Sequence, residues 1–185
     1  MDVNQFWALI EKTRVENDQL GEQQAASLIQ ELTQLSLQDI IDFENIFNNF
    51  WARADQSNLQ DAARFIVAFG DSGWKDFRGW LIGQGRQTYE KVLSDPDSLS
   101  EIISLEKRFD VTAELLLYVG QHAYKIKMND ENAVVPWLPD ENDIPFERGE
   151  SLQKNFTTWE DYDRRFAEKS PRVWEKFHDD MYENY

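Results

Sequence analysis

Residues 70–99 read GDSGWKDFRGWLIGQGRQTYEKVLSDPDSL, and this stretch decides the fold. Asp71 or Ser72 can cap a helix running from about Trp74 to Leu93, and Pro96 stops it, because the residue before a proline is disfavoured in α conformation. At 100° per residue, Trp74, Phe77, Leu81, Ile82, Tyr89 and Val92 gather into one apolar stripe. Arg78 and Gly85 fall inside that stripe. Gly79 and Gly83 form a ridge of small residues on another side. Each interior glycine costs a helix about 0.8–1 kcal/mol against alanine. The pattern therefore implies that another backbone or a ligand comes close.

A buried arginine needs a carboxylate or several carbonyls, because an unpaired buried charge is very unfavourable. Asp71, Asp95 and Asp97 are the candidates nearest in sequence for a structural ion pair with Arg78, and any acid on the other helices is a further one. The other reading is functional. Positions 78, 82, 86 and 89 line neighbouring turns of one helix, so Arg78, Arg86 and Tyr89, with Asp71 nearby, could converge on an anionic ligand. Both readings stay open at this stage.

Helices extend on both sides of this element. Asp2 can cap a first helix that turns Phe6, Trp7 and Ile10 inward, and residues 22–34 give a second with Ala25, Leu28, Ile29 and Leu32 at helical spacing. Ser36 with Asp39 resembles a capping box and opens a third helix, with Ile40, Phe43, Phe47, Phe50 and Ala54 on one face. A short helix over 59–69 follows and ends at Gly70. Residues 98–104 suggest a brief helical piece. Another helix is expected from Val111 to about Lys127, carrying Leu115, Leu116, Tyr118, Val119, His122 and Ile126.

Residues 128–150 change character, with Pro136, Pro139, Pro145 and many acids. They read as an irregular acidic loop that packs Val135, Trp137, Leu138, Ile144 and Phe146 on the helices; Val134–Leu138 is the place where a short strand could form. The C-terminus returns to helix. Trp159, Tyr162 and Phe166 share a face, Ser170-Pro171 is a cap followed by proline at the first helical position, and Trp174, Phe177, Met181 and Tyr185 continue a stripe. The expected fold is all-α: a single-domain multi-helix bundle over 1–185, with 1–127 as its core and 128–185 packed on it as a loop and C-terminal helices.

The 185 residues contain no cysteine, which excludes disulfides, thiolate nucleophiles and thiolate metal sites and fits a cytoplasmic setting. The N-terminus lacks the basic and apolar regions of a signal peptide, and no apolar run reaches the ~18 residues of a membrane span. Net charge is −16; residues 1–70 and 126–185 each carry −7, and the middle of the chain is nearly neutral. Such a surface repels phosphate backbones, so no nucleic-acid partner is expected. His122 and His178 have no ligand-type spacing, and no phosphate loop, GxSxG elbow or HExxH is present, so neither metal nor cofactor is expected.

Four features resemble the bacterial domain-of-unknown-function family numbered 4240: Phe6-Trp7; the acidic-Gly-aromatic entry Asp71-Ser72-Gly73-Trp74; the run Phe77-Arg78-Gly79-Trp80-Leu81-Ile82-Gly83-Gln84-Gly85; and Asp95 to Leu99, DPDSL. The resemblance covers about residues 1–127. It implies a small, mostly helical bacterial domain and supplies no reaction. Ser72 stands where the family entry often has a second acid. With no catalytic motif, the leading expectation is an acidic protein-binding module, an immunity or inhibitor-type protein being one concrete form, with a basic protein as partner. The alternative is a small-ligand binder or enzyme holding an anion at Arg78 and Arg86.

Overall fold

The structure is a computed structural model that describes residues 1–15, 21–67, 69–136, 148–154 and 156–183, with the side chains of 71 and 181–183 excepted. Among the described residues there are ten α-helices, four short 3-10 segments and no strand. The chain is all-α, as its periodicity implies.

The first and third helices form where the capping chemistry places them. α1 spans Val3–Thr13, and Asp2 and Gln5 bond reciprocally across its first turn. α2 spans Glu22–Gln34 after Gly21, whose φ of 67° places it in the left-handed region. α3 spans Leu37–Arg53 behind the reciprocal Ser36–Asp39 box. α4 covers Ser57–Val67, starting two residues earlier than its periodicity suggests.

The long helix expected from Trp74 to Leu93 is two helices. α5 runs Asp71–Gly83 and α6 runs Arg86–Ser94. Gly85 breaks them with φ 90° and ψ 167°, a conformation essentially reserved for glycine. Glu11 of α1 sits where a Gly85 side chain would be, and its carboxylate accepts the Arg86 N–H at 3.2 Å, capping α6 from another helix. Gly85→Ala is therefore expected to cost about 1–3 kcal/mol, read as a lower urea midpoint at unchanged slope.

α7 is a single turn at Leu99–Ile102 that follows the 3-10 turn Pro96–Ser98. The helix expected over 111–127 forms only in its second half, as α8, Val119–Met128. Upstream, the Ala113 N–H donates to the Asp76 carbonyl of α5, and residues 114–118 form 3-10 helix. The glycine ridge explains this path. A Cβ on Gly79 would lie 2.9 Å from Leu117 and 3.1 Å from the Ala113 carbonyl, and one on Gly83 would lie 2.7 Å from Leu116. The ridge thus seats the 113–117 segment, so tight chain packing accounts for these two glycines. Leu115, Tyr118 and Ile126, assigned to that expected helix, are exposed.

From the acidic loop, Val135 is buried and tied down by Gln121, which donates to the Ala133 carbonyl and accepts the Val135 N–H. Trp137, Leu138, Ile144 and Phe146 lie outside the described residues. α9 spans Trp159–Lys169 and α10 spans Pro171–Glu183. Tyr162 and Phe166 are buried, whereas Trp159 is 70% exposed. On α10 the buried pair is Val173 and Phe177, with Trp174 at its edge; Met181 and Tyr185 lie outside the described side chains. Phe65 of α4 stacks on Phe166 at 4.2 Å, and the buried residues of α9 and α10 join one continuous core with those of the preceding helices.

Candidate functional site

Arg78 projects from the middle of α5 into the C-terminal end of α3 and is only 4% exposed. Its guanidinium carbon lies 3.5 Å from the centre of the Trp51 ring and 5.3 Å from that of Trp74. Its Nη1 donates to the Trp51 carbonyl at 3.2 Å. That carbonyl belongs to the last turn of α3, where the macrodipole is negative and a cation is favoured. One helical turn of context thus supplies stacking, a hydrogen bond and a complementary dipole.

The carboxylate facing Arg78 is Asp55, which sequence spacing does not single out. Its Oδ1 lies 3.7 Å from Arg78 Nη1, too long for a hydrogen bond, and accepts from Trp74 Nε1 at 2.9 Å and pairs with Arg148 at 2.9 Å. Burial pushes the Arg78 guanidinium down to about 10, with Asp55 opposing that shift. Nε of Arg78 is buried and has no hydrogen-bond partner among the described residues. Desolvation is the larger effect here, and the stacked rings and the α3 carbonyl offset it.

Two of the other proposed partners, Asp95 and Asp97, lie elsewhere. The Asp71 side chain is outside the described residues. Asp95 and Asp97 do not pair with Arg78; both pair with Arg172 of α10. Arg86 does not converge with Arg78 either, because the break at Gly85 redirects it. It is half exposed, bonds Glu90 on its own helix at 2.7 Å and reaches Asn4 of α1. Tyr89 is buried and donates to the Phe50 carbonyl at 2.7 Å, and burial pushes its phenol up. Arg78 and Tyr89 therefore hold consecutive carbonyls of α3, and the expected three-residue anion cradle does not form.

The DPDSL turn has a different task. Asp97 is 7% exposed and caps α10 from outside: its two oxygens accept the Arg172 and Val173 backbone N–H groups at 3.1 and 2.8 Å. The Arg172 side chain reaches Asp97 at 3.0 Å, Glu101 at 2.6 Å and also Asp95, and these bonds raise its already high pKa further. Asp61 of α4, 1% exposed, makes a second such socket, accepting Ser151 Oγ at 2.6 Å and the Leu152 N–H at 2.8 Å. A Pro171 at the first helical position offers no N–H, so Asp97 serves the next two amides. Sequence spacing carries no signal for pairings that span some 75–90 residues.

A third overlooked group is Glu44, on the α3 face that meets α8. Its carboxyl takes the Gln121 N–H and sits against Gly120, and no cation pairs with it among the described residues. Burial raises it to about 7, from an ordinary value of 4.5. The folded state therefore holds the proton more tightly than the unfolded chain does. The stability this supplies is full below about pH 4.5 and fades as pH rises through about 7. The expected loss between pH 5 and pH 8 is about 2–3 kcal/mol; Glu44→Gln should flatten it in urea titrations at the two pH values.

Among the described residues, no group of three or more His, Asp or Glu is arranged to hold a metal ion, and no helix is long and apolar enough to cross a membrane. No curated protein and no solved structure matches the chain. Residues 1–126 match the family described as "Protein of unknown function (DUF4240)". That span ends inside α8, so α9, α10 and residues 148–154, which feed the Asp55, Asp61 and Asp97 contacts, lie beyond it. With its aromatic N-terminal pair, its buried Arg78 and its DPDSL turn all inside the matched region, the chain belongs to the DUF4240 family.

Proposed function

We propose that this chain is an acidic protein-binding module of immunity or inhibitor type, acting on a basic protein in the cytoplasm of a bacterial cell. The observation that carries the reading is Trp159. It is 70% exposed although Phe156 and Tyr162 brace its ring at 5.1 and 6.0 Å, and the exposed Glu160 adjoins it. Trp is enriched among the residues that anchor protein interfaces. The net charge of −16 favours encounter with a cationic partner, and the absence of cysteine suits a reducing compartment. The anion-binding alternative has no such support, because Arg78 is stacked and bonded within the core and Arg86 meets other partners.

Affinity capture on the immobilised protein tests this reading. A basic protein retained at low salt, released as ionic strength rises, and no longer retained by Trp159→Ala is the expected result. Retention of nothing, or of the same proteins by the variant, would overturn it.

A further inference from the structure

A line of apolar side chains along α8 and the 3-10 turn before it stands exposed. α8 packs on α2 and α3 and buries Val119, Gly120, Ala123 and Tyr124. Its other face carries Leu115, Tyr118 and Ile126, which are 45%, 45% and 59% exposed, with the exposed His122 between the last two. Spacings of three, four and four residues keep these side chains in one line. The line is symmetric along its length. A 3-10 rise of about 2 Å per residue puts Leu115 roughly 6 Å before Tyr118, and an α-helical rise of about 1.5 Å puts Ile126 roughly 6 Å beyond His122. The charges at its ends are opposite. Glu114 closes one end, and burial together with this Glu114 raises the Asp76 carboxyl above its ordinary value, with Lys75 opposing. Lys125 stands at the other end, where residues 115–129 contain no acid. Neither Glu114 nor Lys125 is ion-paired among the described residues.

We propose that this line is the contact between two copies of the chain, laid antiparallel across a two-fold axis that passes between Tyr118 and His122. Reversal sets Tyr118 against the partner's His122, Leu115 against the partner's Ile126 and Glu114 beside the partner's Lys125. The charge pattern selects the occupant. A uniformly basic partner would meet Lys125 with like charge, and a uniformly acidic one would meet Glu114 and Asp76 with like charge. A reversed copy complements both ends, and a two-fold contact repeats each pairing. It also brings a cation to the acidic end that Asp76 and Glu114 share. The net charge of −16 repels a second copy over most of the surface. Contact is therefore confined to a place of near-balanced local charge, and residues 114–129 carry one acid and two lysines. One helical line is a small interface, so the dimer is weak and forms with concentration.

Sedimentation equilibrium on the full chain at rising concentration tests this. The mean mass should climb from that of one chain toward twice that value and stop there. Ile126→Glu, a change at an exposed position, should stay monomeric over the same range. Glu114→Lys and Lys125→Glu each set like charges against one another, and each should weaken association about tenfold. The two single variants mixed together should associate as well as the wild type does, because each supplies the charge that the other lacks. A monomer at every concentration would overturn the proposal, as would growth past two chains or a dimer indifferent to Ile126→Glu. Should Ile126→Glu fail to fold, cross-linking decides. The chain has no cysteine, so Tyr118→Cys mixed with His122→Cys reads the register directly. On mild oxidation this mixture should form a disulfide-linked dimer faster than either variant does alone, and equal rates would overturn the antiparallel contact.

Discussion

Arg78→Ala should destabilise the fold by about 3–5 kcal/mol, and Arg78→Met by distinctly less. The alanine variant empties the space between Trp51 and Trp74, removes the charged donor from the Trp51 carbonyl and takes a cation from the C-terminal end of α3. Methionine keeps most of the volume and also relieves the desolvation that burial imposes on the guanidinium. Asp55 limits both losses, because Arg148 and the Trp74 indole still serve it. Urea denaturation of the two variants reads the difference. Equal losses would show that the charge outweighs the packing, and no loss from alanine would show that the site contributes nothing to stability.

Removing residues 128–185 should have a larger effect still: aggregation or loss of a cooperative thermal transition. The segment supplies Phe166, Val173 and Phe177 to the continuous core and covers Phe65. It also brings the backbone groups that meet Asp61 and Asp97, both nearly inaccessible to solvent. Truncation exposes apolar surface and strands two carboxylates in sockets built for N–H groups. A soluble 1–127 fragment with an unchanged melting temperature would instead identify the tail as a detachable module.

Local chemistry is what a sequence displays, and the parts of this fold set by local chemistry were legible. Asp2 and Ser36 cap the helices they precede, and the stripes of α1 to α4 point inward almost as spaced. The burial of Arg78 followed from its place among Trp74, Phe77 and Leu81. The break at Gly85 did not, because helical periodicity continues across it and only the φ of 90° and the approach of Glu11 reveal the turn. The partners of Arg78, Asp95 and Asp97 were also out of reach. Asp55 and Arg172 are joined to them by tertiary packing, and with 35 acidic residues in the chain proximity in sequence selects nothing. Trp159 misled for a related reason: helical spacing assigns a face, but whether a neighbouring element covers its end depends on the fold.

The broken helix has one more consequence. Its two halves, α5 and α6, each send one side chain to the end of α3: Arg78 to the Trp51 carbonyl and Tyr89 to the adjacent Phe50 carbonyl. These are neighbouring links of one peptide chain, so tightening or slackening one moves the other. Arg78→Met and Tyr89→Phe should therefore be non-additive, with a coupling of about 0.5–3 kcal/mol in a double-mutant cycle. Simple addition would mean that the halves answer to α3 separately. With coupling, the glycine that interrupts the backbone leaves the two helices thermodynamically one element, continuous through their shared anchor and not through their own axis.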